Sequence, residues 1–309
     1  MTKYVINGVD GHFGSAAAAL ALESVAPEDL ILTSWDVEAI RHWEDKGVTV
    51  RQADYDDLAM TTAAFEGANV VLLISTMKVG PVRQQQHQNA IDAAVAAGAS
   101  RIVYTSYLGA GDPDASWYTL TDHRYTEKAI RESGLTWNFM RDSQYQQAIT
   151  QMQAAAAIQT GFWYTNSEPG KISMVHRDDC VRSAVALLLG KGEPDTAYDI
   201  TGPELVSFRE CYELVVELSG AAIEFVEITD EQMYDMFHAM GVPRWATDDF
   251  SASPFPWCSE DMVTNGSGMR TGGMAVLSDA VERLTGRAPI SVRDAMKADS
   301  AGWPAAPTR

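Results

Sequence analysis

For about its first 140 residues the chain alternates short β-branched apolar runs with alanine-rich stretches of helical length, and that alternation leaves few folds open. The pattern predicts strands over 4–7, 30–35, 48–53, 70–75, 101–106 and 136–140. Helices are predicted over 15–24, 37–46, 58–65, 84–97 and 122–133, with Gly47, Gly67, Gly98 and Gly134 placed as C-terminal stops. Right-handed crossovers turn such an alternation into an α/β fold with a doubly wound parallel sheet, whose ligand site lies just beyond the carboxyl ends of the strands.

The second half is less regular. It predicts helices over 144–159, 177–189, 229–240 and 279–284 and strands over 171–175, 197–201 and 224–228. The expected organisation is a Rossmann domain over 1–150, a smaller mixed α/β cap over 151–300 that is partly interleaved with the sheet, and a frayed tail over 301–309. The Pro-, Trp- and Phe-rich stretch 245–257 is expected to be irregular. With the aromatics at 162–164 it is expected to contribute a wall for a planar substrate.

Charge narrows the partners. The formal net charge of −19 repels a phosphate backbone, so neither nucleic acid nor an anionic membrane is an expected partner. Cys180, Cys211 and Cys258 form no Cys-x-x-Cys pair, and no apolar run reaches the ~20 residues of a membrane span. The expectation is a cytoplasmic protein with reduced thiols, as a monomer or homodimer, with no metal site.

The motif with the most weight is Asn7-Gly8-Val9-Asp10-Gly11-His12-Phe13-Gly14. Three glycines between a predicted strand and a predicted helix let the backbone turn and approach a pyrophosphate, and the helix N-terminus offers unpaired N–H groups. Gly8, Asp10, Gly11, His12, Phe13 and Gly14 are therefore expected to bind a nicotinamide dinucleotide. Asp36, 22 residues beyond Gly14, is placed either to accept from the adenosine ribose hydroxyls or to cap the next helix. A carboxylate there repels a 2′-phosphate, which favours NAD(H) over NADP(H). Asp54 is expected near the adenine or as a turn residue, and Ser75 and Thr76 beside the ribose and nicotinamide.

Together Gly8–Gly14, Val50-Arg51-Gln52-Ala53-Asp54, Leu72-Leu73-Ile74-Ser75-Thr76, Arg101-Ile102-Val103-Tyr104-Thr105-Ser106 and Thr126-Glu127-Lys128-Ala129-Ile130 resemble the NmrA-like branch of the atypical short-chain dehydrogenase/reductases. The nearest look is to bacterial NAD(P)H:quinone oxidoreductases and triphenylmethane reductases. The resemblance implies an extended Rossmann domain, a C-terminal cap and a cleft between them. Where NADPH-using members carry an arginine after the second strand, this chain has Trp35 and Asp36, and Trp35 is expected to lie against the adenine.

The Tyr-x-x-x-Lys pair of ordinary short-chain dehydrogenases is absent, since Tyr125 and Lys128 are three apart. The resemblance instead aligns Lys128, which it implies bonds the nicotinamide ribose and supplies a proton. Tyr107, just after the fifth strand, is the second candidate for proton donor or substrate stacking. The expected function is an NAD(P)H-dependent oxidoreductase moving hydride to or from a small aromatic or quinone-like substrate. The alternatives are a non-catalytic dinucleotide-sensing regulator and an alcohol dehydrogenase or aryl-ether reductase.

Overall fold

The computed structural model describes residues 2–247 and 249–305. Strands β1 (Tyr4–Ile6), β2 (Leu30–Ser34), β3 (Thr49–Gln52), β4 (Val70–Leu73), β5 (Arg101–Tyr107) and β6 (Thr136–Asp142) occur in the predicted order. They are separated by helices α1 (His12–Ala21), α2 (Val37–Ile40), α3 (Leu58–Ala64), α4 (Pro81–Ala96) and α5 (Leu120–Glu132). The predicted 37–46 helix is α-helical only to Ile40 and tightens to a 3-10 turn over Arg41–Lys46, ending at Gly47 with φ 83°. With β8 (Thr196–Ile200) these strands make one seven-stranded sheet in the order β3-β2-β1-β4-β5-β6-β8.

β1 pairs in parallel with β2 on one side and β4 on the other. The chain direction across the sheet therefore reverses between β1 and β4, the position at which doubly wound sheets bind ligands. Strand residues such as Val5, Ile31, Val71, Ile102 and Phe139 are buried against Ala90, Ala93 and Ala94 of α4. Small alanines on that helix let it sit close to the sheet, and each large buried side chain contributes roughly 2 kcal/mol through removal from water.

The remaining elements are a π-helical turn (Ala148–Gln153), α6 (Ala154–Thr160), β7 (Phe162–Thr165), α7 (Arg177–Leu188), α8 (Phe208–Ser219), β9 (Glu224–Glu227), α9 (Asp230–Ala239), α10 (Ser259–Arg270), α11 (Ala280–Thr285) and α12 (Val292–Asp299). β7 and β9 form a separate two-stranded parallel sheet. Helices α8 and α9 both start on capping boxes, Ser207 with Glu210 and Thr229 with Gln232. The predicted strand 171–175 reduces to isolated bridges, Tyr145 with Val175 and Ile172 with Val206, because no continuous neighbour strand runs beside it. Strand β7 and helices α8, α10 and α12 were not anticipated.

The chain forms two compact units. One comprises Met1–Ser106, Thr121–Arg141 and Cys180–Tyr198, the other Tyr107–Leu120, Asp142–Asp179 and Asp199–Arg309, so the backbone passes from one to the other five times. The second unit has its own core, in which Trp163 packs edge-on against Phe208 and Tyr212. In the predicted tail, Trp303 donates from Nε1 to the Thr150 carbonyl at 2.6 Å, tying that part down, while residues 306–309 lie outside the described residues.

Candidate active site

The three glycines of the β1–α1 loop are needed for three different reasons. Gly8 has φ +61°, a conformation L side chains rarely adopt, and nothing lies within 4 Å of where its Cβ would be. Gly11 caps α1, and its N–H closes the turn onto the Gly8 carbonyl at 3.0 Å. A Cβ on Gly14 would stand 2.2 Å from the Gly8 oxygen and 2.9 Å from the Asn7 oxygen, so the helix can approach the loop only without a side chain there. His12 is exposed at the first turn, whereas Phe13 is turned into the core and offers the loop only its backbone N–H.

Asp10 accepts a hydrogen bond from Ser34 Oγ at 2.7 Å, and Ser34 Oγ in turn accepts from the Asp36 N–H at 3.1 Å. This tie between the glycine loop and the end of β2 was not read from the sequence, where Ser34 passes as an ordinary strand residue. Asp36 caps α2 by accepting from Ala39 N at 3.3 Å. Trp35 stands 67% exposed beside it, with its carbonyl held by Gln52 Nε2 at 3.0 Å. The nearby cation, Arg41, is clamped by both carboxylate oxygens of Glu38 and lies 3.8 Å from Glu44. Asp54 Oδ1 accepts from Asp56 N at 2.9 Å, so one of its oxygens is used in its own turn.

At the carboxyl end of β4 the ladder stops at Leu73, and three successive N–H groups are taken by side chains from three other elements. Ile74 N donates to Asn7 Oδ1 at 2.7 Å, Ser75 N to Thr105 Oγ1 at 2.8 Å, and Thr76 N to His87 Nε2 at 3.1 Å. Gly80 N, further along, donates to Asp122 Oδ2 at 2.7 Å. Thr76 Oγ1 is buried and has no partner among the described residues. An orphaned hydroxyl beside the open glycine loop fits a polar group of a bound dinucleotide, since a buried polar atom left unpaired is costly.

Behind this segment lies a polar cluster that the sequence reading missed. His87 Nδ1 is 2.8 Å from Thr126 Oγ1, and Tyr104 Oη is 2.8 Å from His123 Nδ1. Burial first, then the charge of Arg83, holds both imidazoles well below their ordinary pKa, and burial raises the Tyr104 phenol. Glu127 is also buried and accepts from Ser106 Oγ at 2.7 Å, from Arg131, and from both Nε and Nη2 of Arg141 at 2.9 and 2.8 Å. Burial alone would raise its pKa, but the Arg141 fork, Ser106 and Arg131 hold it below the usual carboxylate value.

The same helix decides where Lys128 goes. His123, Thr126, Glu127 and Ile130 of α5 are all buried. Lys128 is roughly 140° around an ideal helix from His123, and its side chain is 73% exposed and 3.9 Å from Glu132. Lys128 is therefore on the exposed face of α5, where its ion pair is with Glu132 rather than with a group of the glycine loop, Asp36 or Thr76.

Tyr107 closes β5 and is half-buried, packed against the core of the second unit. Its hydroxyl donates to Asn265 Oδ1 at 3.3 Å. The Asn265 amide is oriented by Nδ2 donating to the Asp261 carbonyl at 2.7 Å and Oδ1 at 3.2 Å, and Asp261 also accepts from Thr119 Oγ1. Burial, reinforced by Asp261, pushes the Tyr107 pKa up and keeps the phenol neutral. Of the aromatic set, Trp163 is core, Phe162 and Tyr164 stack on each other at the surface, and Phe250 is half-buried. Trp245 is exposed beside Tyr118 at a ring separation of 6.0 Å, and Phe255 stacks on Trp257 at 4.4 Å. The stretch 245–257 is irregular as predicted, with residue 248 outside the described residues.

A strand order reversing at β1, with a glycine loop opening a helix there, defines a dinucleotide-binding α/β protein. Residues 8–189 match the family model described as NAD(P)H-binding, and the chain belongs to that family, within its NmrA-like, atypical short-chain dehydrogenase branch. Quinone oxidoreductase 2 of Escherichia coli is 29% identical over 244 residues, covering 79% of this chain and 84% of the relative. The NAD(P)H azoreductase of Xenophilus azovorans is 25% identical over 302 residues, covering 98% and 99%. Among solved structures, the Escherichia coli NADPH-dependent quinone oxidoreductase complexed with NADPH superposes with a TM-score of 0.86 at 24% identity, covering 96% of this chain and 99% of the other. The Citrobacter triphenylmethane reductase gives 0.82 at 24% identity, covering 97% and 99%. The protein is thus an NAD(P)H-binding oxidoreductase. Among the described residues no helix is long and apolar enough to cross a membrane.

Proposed function

We propose that this oxidoreductase reduces planar aromatic or quinone-like acceptors and takes its electrons from NADH in preference to NADPH. The acceptor class is supported by the quinone and azo substrates named for its relatives and by the aromatic side chains Tyr118 and Trp245. The cofactor preference rests on the end of β2. Asp10 and Asp36 are joined there through Ser34, and Arg41 is occupied by Glu38 and Glu44. A 2′-phosphate at that place meets two carboxylates, while the guanidinium of Arg41 is already paired, and like charges at a few ångströms disfavour binding.

Bound reduced nicotinamide supplies a hydride, which with a proton from water converts a quinone to its hydroquinone. Gly8, Gly11 and Gly14 with the N-terminus of α1 hold the pyrophosphate, and Ser75 and Thr76 hold the nicotinamide-side ribose. The Tyr107 hydroxyl is engaged with Asn265 Oδ1, so Tyr107 is assigned to the acceptor through its ring and not as the proton source. An acceptor that becomes a stabilised oxyanion takes its proton from water, so the exposed Lys128 has no required part, and positioning carries most of the rate. That argues against an alcohol or aryl-ether reaction, which needs a fixed acid.

The test is oxidation of NADH and NADPH, followed by absorbance, with a 1,4-benzoquinone and with an azo dye. Acceptor-dependent oxidation with NADH ahead is the expected result. Tight dinucleotide binding with no turnover for either acceptor would replace this reading with the sensing role.

A further inference from the structure

Beyond its last ladder residue, Leu73, β4 continues into a segment held by side chains alone, and of its three donated N–H groups the one at Thr76 is taken by a histidine. That contact fixes the tautomer of the ring. A backbone N–H can only donate, so His87 Nε2 must accept from Thr76 N, which leaves Nδ1–H to donate to Thr126 Oγ1 at 2.8 Å. The His87 proton is thereby on Nδ1, and Nε2 is bare and accepts from Thr76 N. The ring is wedged edge-on against Tyr104 at 5.5 Å, and Tyr104 is itself tied to His123. The ring is fully buried, so the arrangement has little room to rotate.

We infer that His87 is a positioning residue for hydride transfer: as the Nδ1–H tautomer it holds the Thr76 backbone so that the Thr76 hydroxyl is presented to the nicotinamide ribose. The inference rests on the dinucleotide reading above and adds a residue that touches neither cofactor nor substrate. Thr76 follows β4 at the place where the strand order reverses, and its buried Oγ1, like several other buried polar atoms, has no partner among the described residues; place and unpaired hydroxyl together turn a core hydrogen bond into a binding device. The effect should be confined to the nicotinamide half of the cofactor. Among the described residues the hydrogen-bond partners of His87 are Thr76 and Thr126, not the glycine loop or Asp36, which serve the ADP-ribose half.

The experiment is calorimetric titration of wild type, His87→Leu, His87→Gln and Thr126→Val with NADH and, separately, with ADP-ribose, alongside thermal unfolding of each. In His87→Leu the NADH Kd is expected to rise about tenfold while the ADP-ribose Kd stays within about twofold. His87→Gln, whose Oε1 can occupy the place of Nε2, should recover most of the loss. Thr126→Val removes the acceptor of Nδ1–H and so loosens the ring that holds Thr76 N, and it should weaken NADH about threefold. Equal weakening of both ligands in His87→Leu, or none for NADH, overturns the role of His87 and leaves the dinucleotide site standing. Wild type that binds neither ligand overturns the dinucleotide reading itself, and this inference with it. If His87→Leu does not fold, Thr126→Val decides, and equal effects on the two ligands overturn the role.

Discussion

The two loops that flank the switch point of the sheet are built in opposite ways. The β1–α1 loop is shaped by its own backbone: a positive φ at Gly8, a turn closed by Gly11, and a contact that only glycine permits at Gly14. The β4–α4 segment has no such local signature at its start; Ile74, Ser75 and Thr76 are held by Asn7, Thr105 and His87, which come from elsewhere in the chain. A locally encoded loop tolerates change everywhere except at its few special residues. A remotely held one can be loosened from several distant positions, each by the worth of about one hydrogen bond.

The largest expected effect breaks the local loop. Gly14→Ala places a Cβ against the Gly8 backbone oxygen, which has no side chain to yield, so the loop must open. Calorimetry should show NADH affinity down by on the order of a hundredfold or more, while unmutated α5 and β6 keep the sheet folded. Retained affinity would mean the loop does not carry the pyrophosphate.

Next in size is the remote framework. Glu127→Gln removes the charge that pairs the largely buried Arg141 beside the ends of β5 and β6. Denaturant unfolding should show a loss of about 3 kcal/mol, because breaking a buried pair strands its partner.

His87 and His123 give a pH signature for the same framework. Both fold neutral with depressed pKa values, surrounded by Arg83, Tyr104, Thr126 and the Asp122 carboxylate of the neighbouring helix turns. The unfolded chain takes up their protons first, so stability is full above the unfolded value near 6.5 and falls as pH drops below it, by up to about 1.4 kcal/mol per pH unit for each histidine. Melting temperature against pH should lose the His87 share of this slope, about half, below pH 6.5 in His87→Gln, with the His123 share remaining. An unchanged slope would remove His87 from the account.

Smaller still is the cofactor preference. Asp36→Ala is expected to raise NADPH affinity about tenfold and leave NADH within about threefold, read from parallel titrations. Smallest is Lys128→Met, on the outward face of α5: an exposed pair with Glu132 is worth under about 0.5 kcal/mol, and kcat/KM should change by less than about twofold. A large loss of kcat would return Lys128 to the reaction.

The doubly wound sheet, the succession of its strands and helices along the chain up to β6 and the glycine loop were legible because each follows from a local cause: the periods of strand and helix, and the backbone freedom of glycine. The capping boxes Ser207 with Glu210 and Thr229 with Gln232 were equally readable, and the first would have revealed α8. Lys128 illustrates the opposite case. A short motif aligned it with a functional position, but the helical phase of α5, set by His123, Thr126, Glu127 and Ile130 facing inward, turned it outward. Asp10 through Ser34 to Asp36, His87 on Thr76, and Asn265 on Tyr107 each join residues 24, 11 and 158 positions apart or linked by such steps. The sequence by itself determined the class of fold and the glycine loop that opens α1, since both depend on neighbours along the chain. Only tertiary structure decided which polar side chains meet, because hydrogen-bond partners are chosen by distance in space.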